Sequence, residues 1–368
     1  MKKCIKVAHV DHLFFLFLKN GKKSELTDVL SALSECVIMP KTSSAGTREA
    51  ERRAAFDLMF CREDNMNRSE KICRWKQEKD VVLLAHYYVD KAVQEVADFV
   101  GDSYALAKTA VSVSQKNILF AGVSFMGESA KLLNPDKHVY MVDGTAGCPM
   151  ADMVDAEQVR RMREKYPQAA VVCYVNSSAK VKAESDVCVT SSNAVRVVGK
   201  LHQKQIYFIP DSHLGHFVAK ELPDKEFLFH DGYCPTHQSI DRTSLLRAKE
   251  EHPDALTLAH PECSKEILEL SDFVGSTADI IRFAGEKGIG EYIIATETGV
   301  FHPLQKENPD SRFYPVIHCQ VCPDMQKSTL EKIEHMLKDL EKQPELLLDG
   351  SIMERARLPL EQMLLLAQ

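Results

Sequence analysis

The chain has 368 residues, 45% hydrophobic and 27% charged, enough apolar content for one large core or two to three small ones. A net charge of -7 and a pI near 6.1 exclude a nucleic-acid surface built on excess Lys and Arg, and leave small molecules as the default partners. Eleven cysteines without regular pairing argue against a secreted disulfide framework and for a reducing cytoplasm, with thiols free for metal. No apolar run approaches the roughly 18 residues that a membrane helix needs.

In chain order, residues 1–65 stand apart from the remainder of the chain. Leu13-Phe-Phe-Leu-Phe-Leu18 is a short apolar run, followed by Lys19-Asn20-Gly21-Lys22-Lys23 with no small-residue cleavage site, so a signal peptide is not expected. Lys41-Thr-Ser-Ser-Ala-Gly46 is linker-like. This segment is expected to be an extension, disordered or the product of an upstream start site. Met66 precedes a short helix that leads into the first strand.

Three aligned segments come next. They run Val82-Leu-Leu-Ala-His86 to Asp98 and Ser103, Ala170-Val-Val-Cys-Tyr174 to Asp186 and Ser191, and Leu256-Thr-Leu-Ala-His260 to Asp272 and Thr277. The strand-end residue precedes the aspartate by 12 positions and the hydroxyl by 17 each time. Each segment continues to a second apolar run at Phe120, Phe208 or Ile294. It then passes a Pro-Asp pair (Pro135-Asp136, Pro223-Asp224, Pro309-Asp310) and reaches Cys148-Pro149, Cys234-Pro235 or Cys322-Pro323. The cysteines lie 86 and 88 residues apart.

Each unit reads as strand, helix, short strand, helix, strand and a loop carrying cysteine, with Val93, Val96, Ala97 and Val100 as an apolar helical stripe. Continuous apolar strands alternating with helices predict an α/β fold: three similar three-layer α/β/α units with short parallel sheets in a pseudo-three-fold arrangement. The expected boundaries are 66–154, 155–240 and 241–368, the last including two C-terminal helices. One of these opens at a capping box of Ser328 and Glu331 and runs to about Leu340; the other spans about Met353 to Leu366.

One cysteine per unit at one equivalent position is the strongest chemical signal. Three thiolates meeting at an axis can hold three irons of a [4Fe–4S] cluster and leave the fourth open as a Lewis acid; the plain alternative is three structural cysteines left by triplication. Zinc is the alternative metal, although the spacings lack the paired Cys-x-x-Cys knuckles of structural zinc. Cys319 and Cys322 form one Cys-x-x-Cys, of which only Cys322 fits the register. Cys4, Cys36, Cys61, Cys73, Cys173, Cys188 and Cys263 default to core or surface thiols.

His86 and Tyr88, Tyr174 and Asn176, and His260 and Glu262 occupy strand ends, where open α/β sheets bind ligands. Ser103, Ser191, Ser192 and Thr277 enter helices, as N-caps or as part of an anion site.

These residues carry a resemblance. Ala85-His-Tyr-Tyr88, Gly101-Asp-Ser103, Phe125-Met-Gly-Glu-Ser-Ala-Lys131, Ala146-Gly-Cys-Pro-Met-Ala-Asp152, Tyr174-Val-Asn176, Val189-Thr-Ser-Ser-Asn-Ala194, Pro210-Asp-Ser-His-Leu-Gly215, His260-Pro-Glu-Cys263 and Cys322-Pro-Asp-Met325 together resemble quinolinate synthases from about Asp80 to Leu330. The resemblance implies condensation of iminosuccinate with dihydroxyacetone phosphate to quinolinate, with release of phosphate and water, in NAD biosynthesis. It implies a [4Fe–4S] cluster on Cys148, Cys234 and Cys322. The substrate-binding residues it implies are His86, Ser103, Tyr174, Val175, Asn176, Ser191, His260, Pro261, Glu262 and Thr277, with Tyr88, His260 and Glu262 catalytic. It also suggests a functional link to an iminosuccinate-producing L-aspartate oxidase or dehydrogenase, with no nucleic acid or membrane involved. Ser212 and Gly127 depart from the family's usual Lys and Ala. The rival readings are a cluster-dependent dehydratase acting on one hydroxy acid, and an iron–sulfur sensor without turnover.

Overall fold

The computed structural model describes residues 66–368; the expectations for residues 1–65 lie outside them. Twelve strands form three four-stranded parallel sheets among the described residues. The first contains β1 (Val81–His86), β2 (Phe99–Gly101), β3 (Asn117–Ala121) and β4 (His138–Met141). The second contains β5 (Ala170–Tyr174), β6 (Val187–Val189), β7 (Gln205–Ile209) and β8 (Glu226–Phe229). The third contains β9 (Leu256–Ala259), β10 (Phe273–Val274), β11 (Glu291–Ala295) and β12 (Arg312–Pro315). The spatial orders are β2-β1-β3-β4, β6-β5-β7-β8 and β10-β9-β11-β12, one topology three times.

The predicted α/β class and the three similar units are therefore present, with one element pair more per unit than the apolar runs announce. A helix (Ser124–Leu133, Ser212–Glu221 or Phe301–Glu307) and a fourth, edge strand follow the second long strand. The fourth strands are only four residues long and partly exposed, too short to show as apolar runs. The first crossover helix is also shorter than its stripe suggests. It spans Lys91–Val96, Ala97 terminates it, and Val100 belongs to β2.

The repeated aspartate explains both that early stop and the constant spacing. Asp98 Oδ2 accepts from the Leu83 N–H at 2.8 Å while its own N–H donates to Leu83 O at 2.9 Å. Asp186 makes the same pair with Val171, and Asp272 with Thr257. Each carboxylate thus pins the start of a short strand to its central neighbour. Each also meets a cation: Lys76 at 2.7 Å, Arg163 at 2.7 Å and Lys249 at 3.6 Å respectively.

Both faces of the sheets are covered, as parallel sheets require. In the third unit, Ile293 and Ala295 pack with Ile240, Leu245 and Ile267 on one side. Tyr292 and Ile294 pack with Ile280, Ala284 and Leu304 on the other. The first and second units share one continuous core, joined by Met325, Ile333, Leu337, Leu360 and Met363 from the chain's end. The helix Leu330–Lys338 lies on Arg68–Glu78, and Gly350–Leu366 lies against Ala179–Lys182, β6 and Ser124–Leu133. The two expected C-terminal helices thus exist and tie the first two units together. The cap of the first falls one residue later than expected: Thr329 Oγ1 accepts from the Lys332 N–H, whereas Ser328 Oγ is buried without a partner.

Replacing these aspartates with alanine leaves a buried N–H of the leading strand without its partner, a loss of about 1–3 kcal/mol. Asp98→Ala is expected to destabilise more than Asp272→Ala, because its partner Lys76 is only 7% exposed whereas Lys249 is 33% exposed. Urea unfolding of the two variants measures the order; equal losses, or the reverse order, contradict it.

Candidate active site

The carboxyl ends of the central strands point their polar side chains at one pocket. It is lined by His86, Tyr88 and Ser103 from the first unit, Tyr174, Asn176 and Ser191 from the second, and His260, Glu262 and Thr277 from the third. Cys148, Cys234 and Cys322 line the same pocket. Twelve of the fourteen site residues expected from sequence are therefore brought together, counting each once. The two others, Val175 and Pro261, are buried beside it without lining it.

The three cysteine loops are held alike. The third residue beyond the end of the second long strand donates its N–H to the carbonyl two positions before the cysteine: Ser124 to Ala146 at 2.8 Å, Ser212 to Gly232 at 2.8 Å, and Thr298 to Gln320 at 3.0 Å. Equivalent loops thus leave equivalent strands by one shared contact. Burial pushes the Cys148 thiol up to about 12 and raises those of Cys234 and Cys322 as well; nearby acids and sulfurs add to the effect. Such thiols give up their protons readily only to a cation, so this donor set fits a metal group. Cys319 is exposed and does not line the pocket.

Ser103 and Thr277 do not serve as the caps of their helices. Asp102 Oδ1 caps Ser103–Ser112 by accepting from the Ala105 N–H, and Ser276 caps Thr277–Lys287. Each hydroxyl residue sits at the first helical position, within the pocket lining. Asn193, rather than Ser191 or Ser192, occupies the N-cap position of Ala194–Gly199.

Glu262 is the hub. It is 4% exposed; its Oε1 accepts from the Tyr174 hydroxyl at 2.5 Å, and its Oε2 lies 2.8 Å from His237 Nδ1. The other nitrogen of His237 lies 2.8 Å from Thr296 Oγ1. Thr296 Oγ1 is 2.9 Å from the Tyr88 hydroxyl, which is 2.8 Å from Thr277 Oγ1. One buried hydrogen-bonded chain therefore joins all three units. Burial raises the Glu262 carboxyl, but His237, His260 and the Tyr174 hydrogen bond outweigh it and hold the group well below the usual carboxylate range. Burial, with the Glu262 charge adding to it, drives both Tyr88 and Tyr174 well above the usual phenol range.

His86 and His260 are equivalents. His86 Nδ1 accepts from the Tyr88 N–H at 3.2 Å, and His260 Nδ1 from the Glu262 N–H at 3.3 Å. Burial lowers both to about 3, against the opposing pull of Glu262, so both rings are neutral. With Nδ1 accepting, the single ring proton sits on Nε2, where it can donate to a ligand oxygen.

Sequence reading passed over His237, Asp102 and Glu297, all in the pocket lining. His237 had a signal: it is three residues after Cys234, where the other loops carry Ala151 and Met325. Glu297 lies two residues beyond β11, and its equivalents are Val123 and Asp211. Its Oε1 accepts from the Cys322 N–H at 3.2 Å, and burial lifts it to about 8 despite two backbone hydrogen bonds.

Comparison with known proteins settles the family. The family model described as quinolinate synthetase A protein matches residues 70–365. The chain belongs to this family. It is 47% identical over 298 residues to a quinolinate synthase of Fusobacterium nucleatum, covering 81% of this chain and 99% of that protein. It is 47% identical over 281 residues to one from Clostridioides difficile, covering 76% and 92%. A third, from Caldicellulosiruptor saccharolyticus, is 46% identical over 289 residues, covering 78% and 95%. The chain is thus an enzyme of the quinolinate synthase type, and no helix among its described residues is long and apolar enough to cross a membrane.

On the expected [4Fe–4S] reading, alanine at Cys148, Cys234 or Cys322 strips iron and sulfide from anaerobically prepared protein, while Cys319→Ala keeps them. Iron per chain and cluster absorbance of the four variants are the measurements. Loss in Cys319→Ala with retention in Cys322→Ala contradicts the register.

Proposed function

We propose that the pocket condenses iminosuccinate with dihydroxyacetone phosphate to quinolinate, releasing phosphate and water, with a [4Fe–4S] cluster held by Cys148, Cys234 and Cys322. The observation that carries this reading is the meeting of one cysteine loop from each unit, latched by the same backbone contact, with the polar strand ends of all three units. When bound, a cluster with one iron lacking a protein thiolate supplies a Lewis acid for substrate oxygens.

The chain's own residues account for the remaining tasks. A dicarboxylate brings negative charge into a buried pocket that already holds an ionised Glu262. His86 and His260 offer neutral Nε2–H donors to its oxygens. Ser103 and Thr277 add hydroxyls at the first residues of helices of 10 and 11 residues, whose positive ends favour anions. Glu262 handles a substrate proton as part of its hydrogen-bonded network with His237 and Tyr174, which share its charge. Tyr174 and Tyr88, held protonated by burial, donate. Glu262, Tyr88 and Tyr174 are all buried, so these transfers run between fixed partners. The polar lining favours an enzyme over a sensor; a single-substrate dehydratase is tested by supplying each substrate alone. A biosynthetic enzyme of this kind fits a cytoplasmic location and an iminosuccinate supply from an L-aspartate oxidase or dehydrogenase.

The division into 66–154, 155–240 and 241–368, with residues 1–65 dispensable, is part of this proposal. Protein from Met66 onward is expected to load cluster and turn over like the full chain. Failure to recover soluble, cluster-loaded protein contradicts the division.

Glu262→Gln is expected to keep its iron and to lower quinolinate formation by roughly 10²–10⁴-fold, the usual span for a lost proton-transfer group. An anaerobic assay with both substrates, alongside iron analysis, decides; wild-type turnover at wild-type iron removes Glu262 from the mechanism.

A further inference from the structure

Cys234, His237 and Glu262 place three different ligand atoms within 4.8 Å of one another. His237 Nδ1 is 3.2 Å from Cys234 Sγ and 2.8 Å from Glu262 Oε2. Tetrahedral zinc separates such atoms by about 3.3–3.6 Å, given bonds of about 2.0–2.3 Å. The two pairs that share His237 Nδ1 need to part by roughly half an ångström or less, and Cys234 Sγ and Glu262, within 4.8 Å of each other, need an approach of about 1 Å at most to admit an ion.

The surroundings match a metal site in two further respects. Two of the three ligands are oriented by their other polar atom: His237 Nε2 by Thr296 Oγ1 at 2.8 Å, and Glu262 Oε1 by the Tyr174 hydroxyl at 2.5 Å. Charge also balances. A thiolate and a carboxylate neutralise a divalent ion in a site where His237 is 1% and Glu262 4% exposed, so no net charge is buried. All three ligands line the pocket, as do His260 and Tyr88.

We propose that the cluster-free chain binds one zinc ion through Cys234 Sγ, His237 Nδ1 and a carboxylate oxygen of Glu262, with the fourth position open to water. The ion displaces the thiol proton of Cys234, which passes to solvent, and takes the place of the proton that His237 Nδ1 shares with Glu262. The ring then carries its proton on Nε2, donating to Thr296. Because Cys234 also belongs to the three-cysteine set, zinc occupancy and cluster assembly exclude each other. The site makes the enzyme sensitive to zinc at the stage before its cluster is built, and it requires nothing of the proposed condensation.

The test uses the full chain, made cluster-free by anaerobic chelation and kept reduced. Zinc is titrated against a chromophoric competitor in the wild type and in Cys148→Ala, Cys322→Ala, His237→Gln and Glu262→Gln, with thermal unfolding confirming that each variant is folded. One zinc per wild-type chain is expected, retained within about threefold by Cys148→Ala and Cys322→Ala. His237→Gln and Glu262→Gln are expected to weaken it by at least roughly tenfold, since losing a ligand costs no less than losing a ligand's support. Cobalt(II) in place of zinc is expected to show a charge-transfer band of one-thiolate strength. The proposal is overturned by absence of stoichiometric zinc, by loss of zinc in folded Cys148→Ala or Cys322→Ala, or by its retention in both His237→Gln and Glu262→Gln. A cobalt band of three-thiolate strength overturns it too, because the ion then sits among the three cysteines. The readout is independent of quinolinate formation, so failure here and failure of the proposed reaction are separate results.

Discussion

Each cysteine loop hangs from the end of a central strand by one backbone hydrogen bond, and the whole site depends on that contact being made three times. The contact is between main-chain groups, Ser124 with Ala146, Ser212 with Gly232 and Thr298 with Gln320, so side-chain divergence among the units does not disturb it. This is how three units can carry Val123, Asp211 and Glu297 at one equivalent position and still deliver their thiols to one pocket. Behind each latch stands the aspartate clamp, which pins the start of the short strand against the leading strand and hence sets the register of the hydroxyl residue that follows it.

On this shared frame, the units differ in chemistry. The first and third end their leading strands in His86 and His260, each turned by the same backbone N–H two residues on, while the second ends in Tyr174. Of the polar residues that follow the leading strands, only the third unit's include a carboxylate, Glu262, and the second unit answers it with His237 and Tyr174. The Glu262 carboxylate is thereby held by partners from another unit. An ionised carboxylate in a low-dielectric pocket survives only with such partners. The pairing is therefore a fixed point of contact between the second unit and the third.

The apolar packing is itself uneven. The first and second units share a continuous core sealed by the C-terminal helices, whereas the third keeps two separate clusters on the faces of its own sheet. The hydrogen-bonded chain from Tyr174 through Glu262, His237 and Thr296 to Tyr88 and Thr277 runs across the boundaries that the core does not span. Polar contacts thus do at the pocket what hydrophobic burial does elsewhere.

The sequence by itself determined what repeats: the α/β class, the three units, the strand-end residues and the cysteine register. These are local and periodic features, legible because a continuous apolar strand, a clamp aspartate and a cysteine loop recur at constant offsets. It did not determine the four-residue edge strands, the true caps Asp102, Ser276 and Thr329, or the early end of the first crossover helix, since each was decided by a hydrogen bond to a distant or competing group. Nor did it determine the roles of His237 and Glu297. A residue that appears in one unit only leaves no periodic trace, and its meaning comes from what the tertiary structure sets beside it: for His237, the carboxylate of Glu262 at 2.8 Å, 25 positions further along the chain.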